Sequence, residues 1–144
     1  MANALVPELA VSDWRISRGF YCDLLGFSCV YERPEEGFCY LRLGQAELMI
    51  DQIGQGRDFD GGHLPRQRPF GRGVNLQIRV DDVGPLLAAL AGRPLVLPPE
   101  DRWYRRGARE TGNRQFVVAD PDGYLLRFFE DLGERPSAPL PAPL

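Results

Sequence analysis

The chain has 144 residues with 17 basic against 20 acidic side chains and a net charge of −3 at pH 7, which is enough chain for one domain, or two small halves sharing a core, without disulfides or a metal to hold it. A mildly negative balance gives no reason to expect a nucleic-acid partner, and no apolar run approaches the ~20 residues of a membrane helix. The start, MANALVPELAV, has no basic segment before its apolar residues, so neither a signal peptide nor a membrane partner is expected.

Residues 5–11, LVPELAV, read as a strand. It ends at Ser12, a candidate cap for a helix carrying Trp14, Phe20, Tyr21, Leu24 and Leu25, whose i, i+4 pairs give an apolar stripe. Gly26 should stop it. Three strand-like runs follow, FSCVYER, GFCYLRL and AELMIDQI, separated by the PEEG turn and by Gly44 and Gln45. Residues 54–73 are rich in Gly, Arg and Pro and hold the single histidine, His63; a loop of that length is more often functional or mobile than structural. The pattern then restarts. VNLQIRV (74–80) is a strand, Asp81 or Asp82 can cap a helix with Val83, Leu86, Leu87 and Leu90 at i, i+3, i+4 and i+7, and Gly92 ends it. PLVLPP reads as a short strand and RWYRRGARE as a strand or ordered loop.

The stretch DPDG (120–123) is a turn signature that joins Gln115–Ala119 to Tyr124–Glu130 as a hairpin. Alternation places Tyr124, Leu126 and Phe128 on one face of the second arm and Leu125, Arg127 and Phe129 on the other. A strand apolar on both faces is central in its sheet, and a guanidinium held between two large apolar neighbours there needs a carboxylate, carbonyls or an anionic ligand. The other reading is an edge strand from which Arg127 reaches water. GERPSAPLPAPL (133–144) has four prolines in twelve residues and is expected to be disordered or extended. Cys22, Cys29 and Cys39 show no CxxC spacing, which fits buried thiols and a cytoplasmic location.

LAVSD (9–13) and IRVDD (78–82) superpose as apolar strand ends feeding Asp-capped helices, so the chain reads as an internal duplication. The expected fold class is α+β, with two βαβββ modules (5–53 and 74–131) forming a curved mixed sheet around a cavity, and one domain over 1–132. PELAVSD, FYCDLLGF and DPDG in this arrangement resemble the vicinal oxygen chelate superfamily, which contains glyoxalases, bleomycin-resistance proteins and extradiol dioxygenases, and among them bleomycin-resistance proteins most closely. The likeness runs from about Val6 to Glu130.

The enzymes of that superfamily hold a divalent metal through His and Glu on the first and last strands of the modules. Carried over through the VxD and DPDG anchors, those positions are Val6, Asn75, Asp51 and Arg127. Only Asp51 is an ordinary ligand, since valine has no donor atom and a guanidinium has no lone pair to give. The resemblance therefore implies no metal and no cofactor. It also implies a cavity in which Arg127 pairs with Asp51. Alternation adds Val6 and Glu8, Met49, Gln77 and Arg79, Leu125 and Phe129, with Phe38 and Tyr40 closing one side. Trp103 and Tyr104 occupy a segment that contributes to the drug groove in bleomycin-resistance proteins, although as adjacent aromatics they read equally as core or dimer-interface residues.

Three functions remain open. The favoured one is a metal-independent small-molecule binder of bleomycin-resistance type, acting as a homodimer that sequesters an antibiotic or other toxic compound. The ligand-binding set is then Glu8, Phe38, Tyr40, Met49, Asp51, Asn75, Gln77, Trp103, Tyr104, Arg127 and Phe129, with no catalytic residue. The arginines near this site sit poorly with a cationic drug such as bleomycin. The second is an enzyme, a lyase or dioxygenase with a degenerate metal site, using Glu8 or Asp51 for acid–base work. The third is an interaction module without a ligand.

Overall fold

The computed structural model describes residues 2–139. It contains two four-stranded mixed sheets and little helix, an α+β architecture. The first sheet is built from β1 (Glu8–Val11), β2 (Ser28–Arg33), β3 (Phe38–Leu43) and β4 (Ala46–Gln52), in the order β1-β4-β3-β2. The second repeats it with β5 (Asn75–Arg79), β6 (Leu97–Arg106), β7 (Arg109–Ala119) and β8 (Leu125–Pro136), in the order β5-β8-β7-β6. In both, the first and last strands run parallel and the remaining neighbours antiparallel. A helix follows each first strand. The first begins as α1 (Trp14–Arg18) and continues as a π-helical turn through Gly19–Leu24, and the second is α2 (Gly84–Ala89).

The caps differ from the expected ones. Asp13, not Ser12, caps α1, its carboxylate accepting the N–H groups of Arg15 and Ile16. Ser12 instead gives both its N–H and its hydroxyl to Asp122 in the DPDG turn. Asp82 accepts from Gly84 N–H just ahead of α2, and Glu130 takes the Val83 N–H. The end of PLVLPP and the start of RWYRRGARE form one strand, β6, with an extra residue inserted between Leu97 and Glu100, and the last two residues of the second run, Arg109 and Glu110, already belong to β7. The last strand also outruns its expected end at Glu130. Residues 133–136, assigned from composition to a disordered tail, pair with Arg109–Gly112 of β7, because backbone pairing to a partner already in place needs no apolar side chains. Residues 140–144 of that tail lie outside the described residues.

One core joins the modules. Leu9, Val11, Tyr21, Leu41, Leu48 and Ile50 from the first half pack in the same cluster as Ile78, Val83, Phe116, Leu126 and Phe128 from the second. Polar contacts cross the same seam. The buried Tyr21 hydroxyl donates to Asp120, and the Tyr124 hydroxyl to the carbonyl of Ala10. Asp122, 1% exposed, also receives the Arg68 guanidinium, which ties the loop between β4 and β5 to this seam. Since both helix-side faces are committed to the core, each sheet has one face left for other work.

Candidate functional site

On the first sheet that free face follows from strand register. Glu8 lies opposite Met49, Tyr40 opposite Met49 from the other side, and Phe38 opposite Asp51. Their neighbours Leu9, Cys39, Leu48 and Ile50 point into the core. Glu8, Phe38, Tyr40, Met49 and Asp51 therefore share this face, apart from the other residues expected in the same cavity. The sequence reading omits Tyr31. Strict alternation would put Tyr31 on the core side with Cys29, but the register slips between them, and Tyr31 comes to lie opposite Tyr40. A bulge re-aims a side chain in just this way. The two rings stack at 5.2 Å and 16°, Phe38 stands 5.9 Å from Tyr31, and Arg33 caps Phe38 at 4.0 Å. The result is an aromatic shelf whose outer ring, Tyr31, is 48% exposed. Offset or near-parallel rings of this kind suit a flat apolar ligand.

At one side of the shelf sits Asp51. Partial burial, with Glu8, Asp58 and Glu36 adding like charge, pushes its carboxyl up to about 6, against a smaller opposing pull from Arg33. The expected Asp51–Arg127 ion pair does not form within the chain: neither side chain reaches an ionic partner within 4.0 Å among the described residues. The reason is placement. Asp51 belongs to the free face of the first sheet and Arg127 to that of the second.

The second face is a groove along β5, β8, β7 and β6. Arg127 on the interior strand β8 lies between Gln77 and Val117, and Phe129 lies between Arg79 and Gln115. Two connected hollows share Arg127 and Tyr104. One of about 600 Å³ is lined by Gln77, Arg79, Arg105, Arg106 and Asn113, and one of about 330 Å³ by Asn75, Leu97, Glu100, Val117 and Leu125. Asn75, Gln77, Tyr104, Arg127 and Phe129 thus share one site. Gln115, missed in the sequence, donates to the Tyr104 hydroxyl at 2.6 Å and to Glu100 at 3.1 Å.

Trp103 is the exception and a correction. It lies opposite Gly112 on the other face of the sheet, where a side chain on Gly112 would collide with its ring and where Arg135 covers it at 4.1 Å. Counted back from Leu97 without interruption, Trp103 would face the groove and Tyr104 would not. The inserted residue beside Pro98 and Pro99 exchanges them.

Some of the buried polar atoms without partners lie on these two faces, the Tyr40 hydroxyl, Gln115 Oε1 and Arg127 Nε, while Trp14 Nε1 and Ser17 Oγ lie in α1. Tyr40 and Glu47 lie near enough to shift each other's titration, but the hydroxyl falls short of hydrogen-bonding geometry. Unpartnered buried groups cost free energy, so a surface that carries them is one that something else covers. The positions carried over from the resemblance as metal ligands hold Val6, Asp51, Asn75 and Arg127, of which only Asp51 is an ordinary ligand, and the register makes Met49 the counterpart of Arg127, since Glu8 meets Met49 as Gln77 meets Arg127. No cluster of three or more His, Cys, Asp or Glu side chains suited to a metal occurs among the described residues. His63 lies exposed in its loop, and the Cys39 thiol is pushed up to about 12 by burial.

Duplicated βαβββ modules, joined back to back through their helices and each leaving a lined face, define a fold used for binding and for catalysis alike. The chain belongs to the Glyoxalase/Bleomycin resistance protein/Dioxygenase superfamily, whose family model matches residues 4–128. It is 30% identical over 137 residues to bleomycin resistance proteins of Geobacillus stearothermophilus and Staphylococcus aureus, a match that covers 88% of this chain and 96% of each relative. Among solved structures it is similar to TioX from Micromonospora sp. ML1, with a TM-score of 0.66 and 25% identity over 91% of this chain and 100% of that one. No helix among the described residues is long and apolar enough to cross a membrane.

Proposed function

We propose that this chain is a metal-independent small-molecule binding protein of bleomycin-resistance type, which sequesters an antibiotic or other toxic compound. The observation that carries the reading is the stacked Tyr31–Tyr40 shelf, half open to solvent on a face whose β3 and β4 neighbours Cys39, Leu41, Leu48 and Ile50 are committed to the core. Family membership and the named relatives support it at the level of the family. In this reading the protein is a cytoplasmic homodimer without nucleic-acid or membrane partners. The first-sheet face of one copy meets the second-sheet face of the other, and two grooves result. The compound lies between the aromatic shelf and the Tyr104 side of the partner.

The test is calorimetric titration of the full chain with metal-free and copper-loaded bleomycin at low salt. Saturable binding near one drug per chain is expected, weakened about three- to tenfold by Tyr31→Ala through the loss of stacking. Tyr31 is exposed enough for that variant to fold. Affinity indifferent to Tyr31→Ala, or no heat at all, would sink the reading for this drug.

A second reading, acid–base catalysis at a degenerate metal site, is favoured by one feature. The Asp51 carboxyl, raised to about 6, takes up and releases a proton near neutrality. Asp51→Asn separates the two by degree, because it abolishes proton transfer, whereas sequestration by the stacked rings is only weakened.

A further inference from the structure

We infer that the second-sheet groove holds its ligand by an anionic group, a carboxylate or phosphate, seated against Arg127 and Arg79. This rests on reading the groove as a small-molecule site and adds the ligand's chemistry. Arg127 is fixed on an interior strand, flanked along β8 by Leu125 and Phe129. Its Nε is buried without a partner, and its side chain makes no hydrogen bond or ion pair with any described residue. A guanidinium in such surroundings is stabilised by a counter-ion and costs free energy without one.

The nearby carboxylates do not supply it. Glu100 receives the Gln115 amide and Asp131 the Gly133 N–H, neutral donors that leave both charged, but neither lies within ion-pair distance of Arg127. The rest of the hollow is basic. Arg79 sits diagonally across from Arg127, two residues along β5 from its register partner Gln77, close enough for one anion to span both guanidinia. Arg105 is held at the rim by bonds to the carbonyls of Gly107 and Ala138, neutral acceptors that leave its charge uncancelled. Four arginines line this hollow with one carboxylate, Asp131; Arg106 is paired with Glu134 at 4.0 Å, which leaves Arg79, Arg105 and Arg127 without an ionic partner among the described residues. Even a carboxylate contributed by a second copy would leave it positive. The adjoining hollow is different in character: Leu97, Val117 and Leu125 line it, with the Tyr104 ring at the junction. An acidic group attached to an aromatic or aliphatic body matches both parts. Planar guanidinia favour carboxylate and phosphate because each oxygen pair can be met by two parallel N–H donors.

The experiment uses the full chain and three probes of one size: benzoate, phenyl phosphate and neutral benzamide. Melting temperature and calorimetric heat are followed at low salt in the wild type and in Arg127→Gln, Arg79→Gln and Arg109→Gln. The last residue lies outside the groove and pairs with Glu134. The expected result is a saturable rise in melting temperature with one or both anions and none with benzamide. Arg79→Gln should weaken the effect about tenfold, as for loss of a charge-assisted hydrogen bond, and Arg109→Gln should leave it unchanged. Benzoate without phenyl phosphate would assign a carboxylate, and the reverse a phosphate. Arg79 is exposed, so its variant remains informative if Arg127→Gln fails to fold. Equal shifts with benzamide and the anions, or anion binding untouched by Arg79→Gln, would overturn the inference. Bleomycin titrated in parallel separates this from the sequestration reading. Drug binding without anion binding refutes only the anionic subsite, whereas anion binding that is lost with Arg79 supports it whether or not the drug binds.

Discussion

Asp51 is the carboxylate of the first-sheet face whose titration burial alters. Its carboxyl is raised to about 6 by burial and by the charges of Glu8, Asp58 and Glu36, whereas an unfolded aspartate titrates near ~3.9. The folded chain therefore binds that proton more tightly than the unfolded one. The stabilisation this gives is complete below about pH 4 and is lost as pH rises through about 6. Replacing Asp51 by Asn should raise stability at pH 7.5, on the order of 1 kcal/mol once solvent screening of a half-exposed group is allowed for. The gain should vanish by pH 4. Urea unfolding at the two pH values checks this. A loss of stability at pH 7.5 would mean that a cation meets Asp51 in the assembled protein, and Arg127 of a second copy is the first place to look.

Among the elements, β6 carries the sharpest lesson. Trp103 and Tyr104 are adjacent, so a pleated strand sends them to opposite faces, and the residue inserted after Leu97 decides which one enters the groove. Trp103→Ala should lower stability by about 1–3 kcal/mol, because the ring covers Gly112 and carries Arg135, and should leave ligand affinity unchanged. Tyr104→Ala should weaken ligand affinity as well as cost some stability. It removes the hydroxyl that Gln115 donates to and the ring at the junction of the two hollows. Melting curves and titrations of the two variants, set side by side, test the placement. Weakened binding in the Trp103 variant alone would restore the uninterrupted register. The same kind of slip in β2 gives the first sheet its outermost ring, Tyr31. Neither bulge is visible as a pattern of residue types. Each is a matter of which backbone group meets which across the ladder.

Taken together, the two modules spend their apolar helix-side faces on each other and leave two unlike faces open, one aromatic and acidic, the other basic. The charges that one chain keeps apart, Asp51 and Arg127, are complementary between copies. If the proposed dimer joins these faces, sedimentation should give twice the chain mass at micromolar concentration, and the melting temperature should rise with protein concentration as mass action requires. Arg127→Glu should shift the protein toward monomer by placing like charges in opposition. A monomer at every concentration would leave each groove to work alone.

Much of this architecture is legible in the sequence. Strand alternation, glycine stops and the repeated strand-to-Asp step show two βαβββ modules. The DPDG turn predicts the final hairpin, while the choice between a central and an edge setting for Arg127 is made by the sheet order, which places β8 inside. Alternation, stops and the turn are local features, set by periods of 2 and 3.6 residues and by backbone preferences that each segment carries with it. Which residues finally share a site was decided elsewhere. The bulges in β2 and β6, the continuation of β8 through Pro136, and the separation of Asp51 from Arg127 all depend on pairing between segments far apart in the chain. No short stretch encodes its partner's register, because the hydrogen bonds that set it belong to two strands at once and are chosen by the packing of the whole sheet.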